Sequence, residues 1–106
     1  MAVPEISVHE LKALLDADAD IFILDVRNPD EYKVCNLKGH LIPLAELPNR
    51  LNELNPEQQI IIHCHAGGRS RRATEFLIQQ NFKSVFNLRG GITAWANEID
   101  PKMAKY

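Results

Sequence analysis

The chain has 106 residues, 45% of them hydrophobic and 25% charged, with a formal net charge of −2. That size and composition suit one globular domain and argue against disorder, a fibrous repeat or a disulfide-stapled miniprotein. The charge balance offers no basic field to nucleic acid or an anionic membrane, no apolar run approaches the ~18 residues of a membrane span, and Glu5 interrupts any leader-like apolar stretch.

A cytoplasmic single domain over residues 1–106 is therefore expected. Ser7-Val8-His9-Glu10 has the pattern of a capping box. It precedes a helix whose inner face carries Leu11, Leu14 and Leu15 and which gives out between Asp16 and Asp20. Ile21-Phe22-Ile23-Leu24 is a short continuous apolar run, as expected of a strand buried on both faces. Asn28-Pro29-Asp30-Glu31 joins a cap residue, a proline at the first helical position and an early acid, and predicts a short helix. Leu41-Ile42 before Pro43 predicts a brief strand, while Leu44, Leu47, Leu51 and Leu54 fall at helical spacing up to Asn55-Pro56. Gln59 to His63 is the most hydrophobic strand, and it runs directly into Cys64-His65-Ala66-Gly67-Gly68-Arg69-Ser70. Ala73, Phe76, Leu77 and Gln80 then trace a helix with Asn81 as its cap. Ser84 to Leu88 reads as a strand, Gly90-Gly91 as a turn and Ile92 to Asn97 as a closing helix. Strands alternating with helices predict an α/β domain on a mostly parallel sheet, in which ligands sit beyond the carboxyl ends of the strands. Cys64 stands at such an end.

The physical capacity of this loop follows from its residue types. Gly67 and Gly68 permit positive φ, so successive N–H groups can turn inward as a nest, and the next helix begins at about Arg69-Ser70 with its positive end on the same concavity. Arg69 adds a fork of donors suited to an oxyanion, and Arg71 and Arg72 raise the local potential. A free thiol of pKa ~8.5 is only about 3% ionised at neutral pH. Lowering that pKa by two multiplies the thiolate roughly 25-fold, but nucleophilicity falls with a Brønsted slope of ~0.4–0.5 and gives back roughly six- to tenfold. The larger benefit of the loop must be binding an anionic substrate or intermediate. Two chemistries fit: sulfur transfer through a cysteine persulfide, and phosphate-ester hydrolysis through a phosphocysteine.

His before Cys and Arg-Ser after it resemble the cysteine phosphatases, whose loop has five residues between Cys and Arg. Here there are four, His65, Ala66, Gly67 and Gly68, and this shorter loop resembles that of the rhodanese sulfurtransferases. Asp25-Val26-Arg27 with Glu31-Tyr32 also looks like that family's Asp-Val-Arg and Glu-Tyr segment, and Gly90-Gly91-Ile92-Thr93-Ala94-Trp95 looks like its closing Gly-Gly-x-x-x-Trp motif. The resemblance implies a rhodanese-like three-layer fold, a five-stranded mostly parallel sheet flanked by helices, with Cys64 carrying a persulfide. It implies that a small anionic sulfur donor is bound by the backbone of His65, Ala66, Gly67, Gly68 and Arg69 and by the Arg69 guanidinium, without cofactor or metal. Val34 to Leu44 and the tail from Glu98 to Tyr106 resemble the C-terminal rhodanese domain of sulfur-carrier adenylyltransferases. That finer likeness implies a ubiquitin-like sulfur-carrier protein and its adenylyltransferase as partners, in thiocarboxylate formation. A small cysteine phosphatase or arsenate reductase and a non-catalytic binding module are the alternatives.

Other residues carry plainer expectations. Cys64 as a buried structural thiol and Arg69 paired with a surface carboxylate are the bland readings of the loop. His63 is expected to be packed in the strand, Asp25 and Arg27 to form a structural ion pair, Cys35 to be half-buried and Trp95 to pack in the core. The two cysteines and four histidines lack metal-ligand spacing.

Overall fold

A computed structural model describes residues 2–106. Its sheet is built around Gln59–His63 (β4), where Ile60, Ile61 and Ile62 are all fully buried. Successive side chains on a strand point to opposite faces, so Ile60 and Ile62 enter one core and Ile61 the other. β4 lies between Ile21–Asp25 (β2) and Val85–Leu88 (β5). The two-residue strands Glu5–Ile6 (β1) and His40–Leu41 (β3) complete the edges, in the order β1-β5-β4-β2-β3, and every pairing is parallel.

Helices cover both faces. Gly68–Gln79 (α3) sets Ala73 and Leu77 against Leu24, Ile60, Ile62 and Val85. On the other face Val8–Asp16 (α1) and Gly91–Glu98 (α4) bring Leu11 and Trp95 against Ile61 and Leu88. The Ser7–Glu10 capping box forms as expected, with Glu10 N–H donating to Ser7 Oγ at 3.1 Å and Ser7 N–H to Glu10 Oε1 at 2.9 Å. α3 ends with Asn81 at φ 67°, Asn81 N–H donating to Ile78 O and Phe82 N–H to Leu77 O, each at 3.0 Å. That is a Schellman closure, with asparagine at its left-handed position.

The leucine spacing after Pro43 does not produce an α-helix. It yields two 3₁₀ segments, Leu44–Asn49 and Leu51–Glu53, closed by bonds such as Glu46 N–H to Pro43 O and Arg50 N–H to Leu47 O. Pro48 lies inside the first segment and has no N–H to contribute to an i→i−4 ladder. Leu47 and Leu54 are buried all the same, so the apolar spacing reports burial rather than helix type. The brief strand before Pro43 sits one residue earlier than its expected position, and β1 is an additional strand formed by pairing with β5.

Candidate active site

Parallel strands deliver their carboxyl ends to one edge of the sheet. Asp25 at the end of β2 is in register with His63 at the end of β4, so the segments leaving both strands meet there. Cys64 follows immediately and is buried at the floor of an open cleft of about 700 Å³, whose walls include His65, Ala66, Gly68, Arg69 and Arg72.

The loop folds around the sulfur because Gly67 takes φ 120°, a conformation L side chains rarely adopt. This turns the Gly67 N–H onto Cys64 Sγ at 3.1 Å, and the amides of Arg69 and Ser70 at the start of α3 are directed to the same atom. The Ser70 hydroxyl lies 3.4 Å from Sγ and is also bonded to Asn87 Oδ1, while Asn87 Nδ2 donates to Glu5 Oε2 at 3.2 Å. A hydroxyl has one proton to donate, so Ser70 can rotate it from Asn87 toward a sulfur anion. Burial pushes the Cys64 thiol up, but the Ser70 hydroxyl and amide together with the Gly67 and Arg69 amides outweigh it, and the net shift is downward.

The loop backbone is held from outside by α4. Ile92 N–H donates to Cys64 O and Thr93 N–H to His65 O, both at 3.0 Å. Gly91 makes this approach possible: a Cβ there would lie 2.5 Å from His65 O and 2.7 Å from Cys64 O. The closing Gly-Gly motif is thus a contact point for the cysteine loop.

Pro29–Val34 (α2) meets the loop through Arg69. Glu31 sits in its first turn, where Oε1 accepts the Asn28 N–H at 3.0 Å. The same carboxylate receives the Arg69 guanidinium in a bidentate pair, Nη1 to Oε1 at 2.6 Å and Nη2 to Oε2 at 2.8 Å. Tyr106 then donates its hydroxyl to Glu31 Oε2 at 2.9 Å and stacks its ring on His65, with centroids 4.1 Å apart. The Arg69 bonds dominate the Glu31 environment and hold its carboxyl down at about 2. Arg69 is therefore paired with a carboxylate, as the blander expectation had it, and that pair forms a rim beside the cleft.

Beneath this rim lies the buried Asp25–Arg27 pair. Arg27 donates through Nη2 to Asp25 Oδ2 at 2.6 Å and to Cys35 O at 2.8 Å, and through Nη1 to the Tyr106 hydroxyl at 3.0 Å. His63 is fully buried, with Nδ1 3.4 Å from Cys64 O and Nε2 3.6 Å from Asp25 Oδ2. Burial lowers its pKa and keeps the imidazole neutral. Cys35 is half-buried at the end of α2 and Trp95 is a core residue, both as expected.

The structure thus brings Cys64, His65, Ala66, Gly67, Gly68 and Arg69 together around one cleft. Sequence reasoning missed Ser70 as a partner of the thiol and Asn87 as the partner of Ser70, and Glu31 and Tyr106 as partners of Arg69 and His65. The Glu31 signal was available as an early helix acid, but its second role requires a contact across 38 positions.

A parallel α/β sheet that delivers a buried thiol into a nest of amides defines a cysteine-centred loop whose donors favour negative charge on the sulfur. Comparison with known proteins makes this specific. Residues 7–98 match the family described as Rhodanese-like domain. The chain is 39% identical over 100 residues to YrkF of Bacillus subtilis, covering 93% of this chain and 54% of that protein. It is 35% identical to a sulfurtransferase of Allochromatium vinosum, covering 96% of each. It is 34% identical over 122 residues to the adenylyltransferase and sulfurtransferase MOCS3 of Arabidopsis thaliana, covering 99% of this chain but only 26% of that longer protein. Among solved structures, a rhodanese-like domain protein from Staphylococcus aureus superposes with a TM-score of 0.82 at 31% identity, over 91% of this chain and 94% of that one. The chain belongs to the rhodanese-like domain family, and it spans about half or less of the longer relatives.

Proposed function

We propose that the chain is a sulfurtransferase that carries sulfur on Cys64. The thiolate attacks the outer sulfur of a sulfane donor; with thiosulfate, the sulfur–sulfur bond breaks, sulfite leaves with the bonding pair, and a cysteine persulfide anion remains. An acceptor nucleophile then takes the outer sulfur and returns the thiolate, in ping-pong fashion. The observation that carries this reading is the ring of donors around Sγ, the Gly67, Arg69 and Ser70 amides and the Ser70 hydroxyl. Such donors stabilise negative charge without reorganising during the reaction. In the persulfide the outer sulfur stands ~2.05 Å from Sγ, toward the loop backbone from His65 to Arg69. Two free cysteines suit a reducing compartment such as the cytoplasm.

The match to part of an adenylyltransferase and sulfurtransferase supports a ubiquitin-like sulfur carrier as acceptor, with thiocarboxylate as the product. The basic residues at the mouth, Arg69, Arg71 and Arg72, are placed to meet an acidic partner face.

Incubation with thiosulfate followed by intact mass tests the reading. A reductant-reversible gain of about one sulfur, ~32 Da, is expected in the unaltered chain and absent in Cys64→Ser. A gain that persists in Cys64→Ser, or none from thiosulfate or a protein persulfide, overturns it. Turnover of an aryl phosphate or arsenate would move the assignment to the phosphatase or reductase class.

A further inference from the structure

Glu31 is an anion already bound in a site built for anions. Both of its oxygens are doubly engaged: Oε1 by the Asn28 amide and Arg69 Nη1, Oε2 by Arg69 Nη2 and the Tyr106 hydroxyl. A carboxylate offers about four acceptor positions, and here all four are used. Glu31 takes the end-on face of the Arg69 guanidinium, Nη1 and Nη2, one of the two faces with which it could clasp a sulfonate, and cancels its charge. The other arginine close to the cleft with a carboxylate partner is Arg71, whose Nε lies 3.5 Å from Glu75 Oε1. Beyond these two pairs only Arg72 contributes charge to the cleft lining, leaving a single net positive charge there.

Sulfur donors differ in what they ask of such a site. Thiosulfate is doubly negative, and its sulfonate end needs cationic donors. The persulfide of an alkyl thiol carries at most one charge, on the sulfur being transferred, which the loop amides can hold without a guanidinium. We propose that Glu31 is a specificity-determining residue that, by occupying Arg69, turns the site away from doubly anionic donors and toward persulfides.

The inference rests on the sulfurtransferase reading for its biological meaning, but not for its measurement. Tyr106 belongs to the same device as a positioning residue, because it holds one Glu31 oxygen and stacks over His65. Glu31→Gln removes the charge while keeping a side chain that can serve the helix cap.

The test pairs two ratios on the full chain. The first is the rate of Cys64 alkylation by iodoacetate divided by that with iodoacetamide, followed by mass with Cys35 peptides separated. The uncharged reagent cancels changes in thiol ionisation and access. The second is the rate of sulfur loading from thiosulfate divided by that from 2-mercaptoethanol persulfide. Both ratios are expected to rise about fivefold in Glu31→Gln, the size of one charge contact screened as in bulk water in this open cleft, and about twofold in Tyr106→Phe, which loosens one oxygen only. Glu31→Asp should restore low ratios if it recovers the Arg69 pair. Unchanged ratios in Glu31→Gln, with normal sulfur loading of the unaltered chain, overturn the role of Glu31 alone. Failure of the unaltered chain to load sulfur from either donor overturns the sulfurtransferase reading and donor selection with it, while the alkylation ratio separately reports whether Glu31 limits anion access.

Discussion

Replacing Arg27 by methionine should remove a large share of the domain's stability. The guanidinium is fully buried and is bonded to both oxygens of an equally buried Asp25, to the Cys35 carbonyl and to the Tyr106 hydroxyl. Methionine fills most of the space but leaves Asp25 charged, buried and without its partner. Removing one member of a buried pair costs ~3–5 kcal/mol, against a total stability of roughly 5–15 kcal/mol for a domain. At about 4–8 °C per kcal/mol for a domain near this size, the melting temperature should fall by at least ~12 °C. The double variant Asp25→Asn with Arg27→Met removes both charges and should recover at least half of the loss, because the penalty lies in the orphaned charge. Thermal melts and urea titrations of the three proteins decide the matter. A loss below about 5 °C in the single variant, or a double variant no better than the single, would refute the structural assignment of Arg27.

Ser70→Ala removes a hydroxyl that stands 3.4 Å from Cys64 Sγ and should raise the thiol pKa, slowing alkylation by iodoacetamide at neutral pH about three- to tenfold; an unchanged pH–rate profile would exclude the hydroxyl from thiolate stabilisation. Gly91→Ala drives a methyl group into the Cys64 and His65 carbonyls from a positive-φ backbone, and should cost upwards of ~1–3 kcal/mol in a melt; a melt identical to the unaltered chain would contradict the close approach. Glu31 is held at about 2 in the folded chain against an ordinary 4.5, so its contribution is complete above 4.5 and is lost as the pH falls toward 2. Glu31→Gln should flatten that part of the stability–pH curve, and an identical acid limb in both proteins would argue against the Arg69 pair.

The parts legible in the sequence are those that local chemistry determines. Three consecutive isoleucines specify a central strand, a Ser-x-x-Glu pattern specifies a helix start, and Gly67 specifies the turn that wraps the thiol. The run from Leu44 is 3₁₀ rather than α-helical because leucine spacing records which side is buried, whereas Pro48 controls which backbone bonds can form. β1 has no signal of its own: two residues become a strand only because β5 presents an open edge. The cysteine loop was visible as a pattern, yet half of its environment comes from elsewhere in the chain. Ser70 borrows its orientation from Asn87 and Glu5, and Arg69 takes its partner from α2. Each of those contacts exists only after the sheet has assembled, and a residue's neighbours across the fold leave no local imprint.

Two carbonyls, those of Cys64 and His65, are tethered to the first turn of α4 through Ile92 and Thr93. A peptide unit whose oxygen is fastened on one side presents its hydrogen-bonding direction already chosen, whatever side chain it bears. The cleft is therefore a mould cast in main chain, and its exposed positions Ala66 and Gly68, the latter with open space where a Cβ would stand, can be altered without recasting it. Retargeting this domain toward a different donor should proceed by changing the rim at Glu31, His65 or Tyr106, while the interior that handles the sulfur stays as it is.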